Sequence, residues 1–347
     1  MPALDSSTLA APGCPKHMVF GPCGGVRSDG SCEMVLGPCA FDAVDLAPQR
    51  PPTAQVTAAR VVAPLVLTDL SVPPADAATL RATARVLAPT CDALLVGDHQ
   101  DRADFPPSTL ARLLSEAGAR PWVTLACRDR NRVVLESELH GLELDGLATV
   151  LCVTGDGRAY DVRPDVSQAF DLDSTRLAAL AASIGLPVAV VETPTAPPVS
   201  VRPGRLVQKQ RVGAGIAVLN HVRSAVDVGR FLVAARAAGL EIPVVASVAV
   251  YTDDRSAAVL TALPGLEIEP TAVASVLGAA DPVAAGIDHA VREALDLLAV
   301  PGVLGVNLSG MASARGTAFA ASVQAEIGLR IRAAAPRGTA DQDVRDG

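Results

Sequence analysis

The run Trp122-Val123-Thr124-Leu125-Ala126-Cys127, followed by Arg128-Asp129-Arg130-Asn131-Arg132, a helical stretch and then Val150-Leu151-Cys152-Val153-Thr154-Gly155-Asp156, decides the fold. Two short apolar runs each end abruptly in polar, ionisable residues, with an amphipathic helix between them. That is one βαβ unit with chemistry at the carboxyl ends of both strands, the edge where parallel α/β architectures bind their ligands.

The same unit repeats outward in both directions. Val/Leu/Ile/Ala runs of strand length cover 61–68, 91–97, 121–127, 148–154, 186–191, 214–220, 243–249 and 302–308. Amphipathic helices are predicted near 75–88, 107–118, 131–146, 174–184, 203–212, 224–238, 254–263 with 271–299, and 312–332. Eight alternating β and α segments fit an α/β fold of the (β/α)8 TIM-barrel type better than an open sheet, and place the barrel at 59–332. A cysteine-rich module (1–45) precedes it, with its first 13 residues expected to be disordered. A Pro-, Gln- and Ala-rich linker (46–58) joins the two, and a polar tail (333–347) is expected to be disordered.

Composition narrows the function classes. Half of the 347 residues are apolar but only 3% are aromatic, so the core must be built from Val, Leu and Ala. A formal charge of −8 argues against a nucleic-acid partner, which demands a basic face. No apolar run approaches the roughly 20 residues of a membrane span. The start, Met1-Pro2-Ala3-Leu4-Asp5, lacks the basic and apolar regions of a signal peptide, so a cytoplasmic protein, monomer or homodimer, is expected.

Four of the seven cysteines, Cys14, Cys23, Cys32 and Cys39, fall in one Gly- and Pro-rich segment with eight, eight and six intervening residues. So short a segment cannot bury a core, and four thiolates around Zn²⁺ would hold it, a structural zinc supplying roughly 10–16 kcal/mol. An iron–sulfur cluster, or buried cysteines without a ligand, are the alternatives this spacing leaves open. His17 is an optional fifth ligand candidate and otherwise reads as a surface residue.

The carboxyl ends of the eight strands carry a ring of polar groups: Asp69; Asp98-His99-Gln100; Cys127-Arg128-Asp129; Thr154-Gly155-Asp156; Glu192; Asn220-His221; Tyr251; and Asn307 with Ser309. Carboxylates and amides dominate. There is no metal-ligand spacing such as His-x-x-x-His, no Gly-x-Ser-x-Gly elbow and no Gly-x-x-x-x-Gly-Lys loop, which disfavours serine hydrolase and nucleoside triphosphatase chemistry. Cys127 reads as a core thiol. Lys209 lies on a helix leading to the far face of the barrel, which argues against a Schiff-base role. Arg128, Asp129 and Arg130 form either a substrate clamp or a local ion-pair cluster.

Thr124 to Asn131, the helix carrying Leu135, Ser137, Leu139 and Gly141, and Val150 to Asp156 together resemble the methylenetetrahydrofolate reductases. Cys14-Pro15-Lys16 and Gly21-Pro22-Cys23-Gly24-Gly25 resemble a cysteine-rich domain associated with that family, usually C-terminal to the barrel or on a partner. The resemblance implies a barrel that reduces 5,10-methylenetetrahydrofolate to 5-methyltetrahydrofolate with NADH or NADPH. It implies Asp69 and Asp156 as catalytic residues, Asp69 standing for the family's glutamate acid. It places Asn220, with His221 next to it, toward the folate substrate and matches Lys209; the ring of strand ends adds Arg128, Glu192, Tyr251 and Asn307 on the substrate side and Thr154, Gly155 and His99, with Lys209, on the cofactor side. The resemblance also strengthens zinc at the four cysteines. Thr124 stands where the family has a flavin-contacting histidine, and Glu192-Thr193-Pro194-Thr195-Ala196-Pro197-Pro198 replaces a Pro-Glu-x-His-Pro segment. The folate side is kept better than the flavin side, as in the flavin-free reductases of high-GC bacteria, so no FAD or FMN is expected. The rival expectations are folate-dependent one-carbon or methyl transfer on the same barrel, and a non-catalytic partner subunit of a reductase complex.

Overall fold

Val- and Leu-rich strands buried on both faces need helices outside them and side chains inside, and the chain satisfies both demands by closing on itself. The computed structural model describes residues 11–42, 63–99, 102–146, 148–157, 165–262, 266–310 and 312–335. The expected linker at 46–58, the first ten residues and residues 336–347 of the expected tail lie outside these.

In chain order the elements are β1 (Leu65–Leu70), α1 (Ala77–Leu87), β2 (Ala93–Val96), α2 (Pro107–Glu116), β3 (Pro121–Ala126), α3 (Arg132–Asp145), β4 (Thr149–Val153), α4 (Ser174–Ile184) and β5 (Val188–Glu192). Then come α5 (Arg202–Arg211), β6 (Ile216–Leu219), α6 (Ala225–Ala237), β7 (Val244–Val250), α7 (Asp254–Ala262), α8 (Pro270–Leu277), α9 (Pro282–Leu298), β8 (Val303–Gly310) and α10 (Thr317–Ala334). The eight strands pair in parallel with their sequence neighbours, and β8 returns to β1 to complete a closed barrel. The helical stretch expected over 271–299 is two helices, because Pro282 opens a new one at its first turn, and Pro270 likewise opens α8. Among the described residues no helix is long and apolar enough to cross a membrane.

Strand periodicity sorts the side chains. Leu65, Leu67, Leu95, Trp122, Leu151, Ala189, Ile216, Val218 and Val245 fill the lumen, whereas Val66, Leu94, Val123, Val150, Cys152, Val190 and Ala217 pack outward against the helices. Gly305 is required where β8 meets β1, since a Cβ there would run into the Leu65 backbone. Cys127 lies in the outer layer, a core thiol as expected, and Cys152 lies there too, burial pushing both thiols up.

Residues 11–42 of the cysteine module pack against the β4 and β5 side of the barrel. Val19 N–H donates to Asp173 Oδ2 (3.0 Å), Arg205 Nη1 to Phe20 O (2.8 Å), Arg202 Nη2 to Cys23 O (3.0 Å), and Arg176 Nη2 to His17 O (2.9 Å). His17 is exposed, as expected of a surface residue, and also takes part in the docking, its Nδ1 lying 3.0 Å from Phe170 O.

Candidate active site

The carboxyl ends of the strands open into two connected lobes. The larger, about 440 Å³, is lined by Asp69, Asp98, His99, Asp156, Asn220, Ser247, Asn307 and Ser309. The smaller, about 290 Å³, lies under the module and is lined by Lys16, Cys23, Arg128, Thr154, Gly155, Glu192, Arg205 and Lys209. Asp98, Thr124, Asp156 and Asn220 border both, so the lobes form one mouth.

Period two explains which side chains arrive. Asp69 follows the lumen residues Leu65 and Leu67; Thr124 follows Trp122; Asn220 follows Ile216 and Val218; Ser247 follows Val245. Residues one position out of phase point elsewhere. His221, expected at the substrate, instead lies outside the barrel wall, its Nδ1 2.6 Å from Glu267 O and its Nε2 2.5 Å from Glu293 Oε1. A one-residue change of phase moves a strand side chain to the opposite face. Tyr251 shares the phase of Ser247 but lies past the end of β7; it is 1% exposed in an apolar cluster with Leu260 and Val276 and lines neither lobe.

Asp69 ends β1 at the wall of the larger lobe. Asn307 Nδ2 donates to its Oδ1 at 2.9 Å and also to Ser309 Oγ at 2.8 Å, while Gln324 on α10 holds the Asp69 carbonyl at 3.0 Å. Burial pushes the Asp69 carboxyl up to about 6, against the downward pull of the Asn307 and Ser309 hydrogen bonds. A carboxyl so placed can hold a proton near neutrality and pass it to a bound base. Across the mouth, Asp156 is also raised, by burial first and by the nearby Glu33, with Lys16 and Arg128 opposing. Asn220 Nδ2 donates to Thr193 Oγ1 at 2.9 Å, which fixes its amide.

The arginines after β3 form an ion-pair cluster. Arg130 Nη1 meets Asp98 Oδ2 at 2.5 Å, and Arg128, 2% exposed, donates to Asp129 (2.8 Å) and His99 O (3.0 Å). Asn131 caps α3 by accepting the Val134 N–H at 3.0 Å. His99 Nε2 lies 3.4 Å from Asp104 Oδ2 in the wall of the larger lobe. Together they tie the β2 and β3 loops.

Glu192 is buried among cations: Lys209 Nζ lies 2.9 Å away and Arg202 Nη1 3.5 Å. Burial alone would raise the Glu192 carboxyl, but Lys209, Arg205 and Arg202 hold it below the usual range. Lys209 therefore reaches the carboxyl end of β5, donating also to Val191 O, and the expectation that its helix carries it to the far face is corrected. Thr154 Oγ1 accepts the Ser174 N–H at 3.0 Å, and Gly155 O accepts from Lys16 Nζ at 2.6 Å. Lys16, Ser247 and Arg205 are wall residues that the sequence did not point to. Strand phase could have found Ser247; nothing local marks the other two.

Cys14, Cys23, Cys32 and Cys39 are free thiols around one void of about 30 Å³, with Glu33 beside Cys23 at 3.5 Å. The donors suit zinc in kind. They do not converge as a ligand set, since among the described residues no group of three or more His, Cys, Asp or Glu side chains is disposed to hold a metal ion. Burial pushes the Cys23 thiol up to about 11 and raises that of Cys39.

No family model and no curated protein matches this chain in sequence. Among solved structures, an uncharacterised protein from Clostridium thermocellum that binds two copies of 5-methyl-5,6,7,8-tetrahydrofolic acid is similar at TM-score 0.52 and 11% identity, over 77% of this chain and 96% of that one. The coenzyme F420-dependent tetrahydromethanopterin reductase from Methanopyrus kandleri is similar at TM-score 0.52 and 12% identity, over 79% of this chain and 99% of that one. At such identities the likeness establishes the shared barrel.

Proposed function

We propose that this protein is a folate-dependent oxidoreductase that reduces 5,10-methylenetetrahydrofolate to 5-methyltetrahydrofolate with NADH or NADPH as hydride donor. The observation that carries the reading is Asp69, a carboxyl raised to about 6 and aimed by Asn307 at the wall of a 440 Å³ lobe. Asp69 donates its proton to the ring nitrogen whose bond to the methylene carbon breaks. The resulting iminium carbon accepts hydride, so one substrate, one reduced nicotinamide and one proton give the methyl product and oxidised nicotinamide. General acid catalysis of this kind contributes about 10²–10⁴-fold. Asp156 and Asn220 orient the pterin from the opposite wall, where positioning alone lowers the barrier.

Two connected lobes allow both reactants to sit in the mouth together, which direct hydride transfer without a flavin requires. Thr124, where the related reductases carry a flavin-contacting histidine, supports that version, and the folate-binding and pterin-reducing barrels of similar structure lend the fold's aptitude for reduced pterins. Purified protein mixed with NADH or NADPH and methylenetetrahydrofolate is expected to lose the absorbance of reduced nicotinamide. Folate binding without nicotinamide oxidation would favour one-carbon transfer, and neither would favour a non-catalytic subunit. A stoichiometric flavin spectrum in the purified protein would refute direct transfer.

The four cysteines are proposed to hold zinc with a structural role only, after their thiols draw together around the void that they already line. Metal analysis finding about one zinc per chain supports this, and a metal-free protein of unchanged stability refutes it.

A further inference from the structure

The loop Gly155-Asp156-Gly157 is gripped from two sides. From the module, Lys16 Nζ donates to Gly155 O at 2.6 Å and Glu33 Oε2 accepts the Gly157 N–H at 2.7 Å, while Lys16 and Glu33 bind each other at 2.5 Å. From the barrel, Arg128 stands against Gly155, whose φ of +89° and close approach leave no place for a side chain: a Cβ would lie 2.9 Å from Arg128 Cβ. At Gly157 a Cβ would run into Met34 of the module. Both peptide groups flanking Asp156 are therefore fixed by residues more than 120 positions away, and Asp156 between them borders both lobes.

Charge acts along the same line. Lys16 is 2% exposed and lines the smaller lobe, and of its three ammonium protons Glu33 and Gly155 take two. Its cation favours the ionised form of Asp156, and the Glu33 carboxylate opposes it.

We infer that the cysteine-rich module is part of the active site, with Lys16 and Glu33 as positioning residues that hold the loop and aim Asp156. The inference rests on the reading that the mouth binds a reduced folate, but the state of Asp156 can be measured without it. A module that only covered the barrel would leave Asp156 indifferent to its loss.

The test uses the full chain and three variants: Lys16→Met, Glu33→Gln, and Arg176→Met, which removes a docking contact to the His17 carbonyl and leaves both contacts to the Asp156 loop in place. Carboxyl carbon NMR, with the Asp156 signal assigned through Asp156→Asn, follows its titration directly. Lys16→Met is expected to move that titration to higher pH and Glu33→Gln to move it lower, with Arg176→Met unchanged. Kinetics in parallel are expected to show kcat/KM falling about 10²-fold in Lys16→Met, the scale of a misplaced positioning group, and holding in Arg176→Met. Opposite shifts from the two charge removals cannot come from a general loosening. Should Lys16→Met not fold, the downward shift in Glu33→Gln decides alone. Identical titrations in wild type and both charge variants, or equal changes in Arg176→Met, overturn the inference. Wild-type protein inert toward methylenetetrahydrofolate would overturn the proposed function instead, while the titration still tests the clamp.

Discussion

Replacing Asp69 by Asn should separate stability from activity in opposite directions. The folded-state carboxyl titrates at about 6 against an ordinary 3.8, a shift of about two units, or roughly 3 kcal/mol between protonation states. The native state binds this proton more tightly than the unfolded chain does. The stabilisation it brings is fully present below pH 3.8, is lost as pH rises through about 6, and is absent at pH 7. Asn cannot ionise, so the variant escapes this pH dependence. It keeps an oxygen to accept from Asn307, and its new N–H can reach Asn307 Oδ1, which is buried without a partner. Asp69→Asn should therefore gain on wild type between pH 4 and pH 7, by at most about 3 kcal/mol, read from urea unfolding at both pH values. Turnover should fall about 10²–10⁴-fold, and the decline of wild-type kcat/KM above about pH 6 should vanish with it. Near-normal turnover, or a stability difference that does not grow with pH, would refute the acid and its raised pKa respectively.

Glu192→Gln removes the one carboxylate among Lys209, Arg202 and Arg205, leaving buried cations uncompensated, and should destabilise the fold by about 3–5 kcal/mol in denaturant titrations. His221 bridges two acceptors, a carbonyl and a carboxylate, so both ring nitrogens carry protons; burial alone would lower its pKa, but Glu293 and Glu267 raise it. Its stabilisation should be complete below about pH 6.5 and be lost as pH rises through the higher folded-state value, a slope that unfolding midpoints across pH 6 to 9 should show and His221→Gln should abolish. Gly155→Ala forces a side chain into φ +89° against Arg128 and should cost about 1–3 kcal/mol together with folate-binding affinity, measured by calorimetry.

The alternation of apolar runs and amphipathic helices was enough to determine the barrel, because each βα unit is encoded locally by its period and its polar strand end. Asp69, Asn220 and Asn307 were legible for the same reason, as the first polar residues in phase with lumen-facing runs, and Asp156 as the acid that closes the polar end Thr154-Gly155-Asp156. Phase along the strand was also in the sequence, and following it from Ile216 and Val218 would have separated Asn220 from His221, and from Val245 would have added Ser247. The reach of Lys209 to Glu192 was not, since a long side chain can cross from a helix to a strand end that its backbone position does not suggest. Only the tertiary structure decided where the cysteine module sits. Lys16 meets Gly155 across 139 residues of chain, through one carbonyl and one ammonium, and such a contact leaves no periodicity behind. Local pattern determined that this chain forms a barrel with acids at its mouth, and long-range docking decided that Asp156 is held there by a module lying outside it.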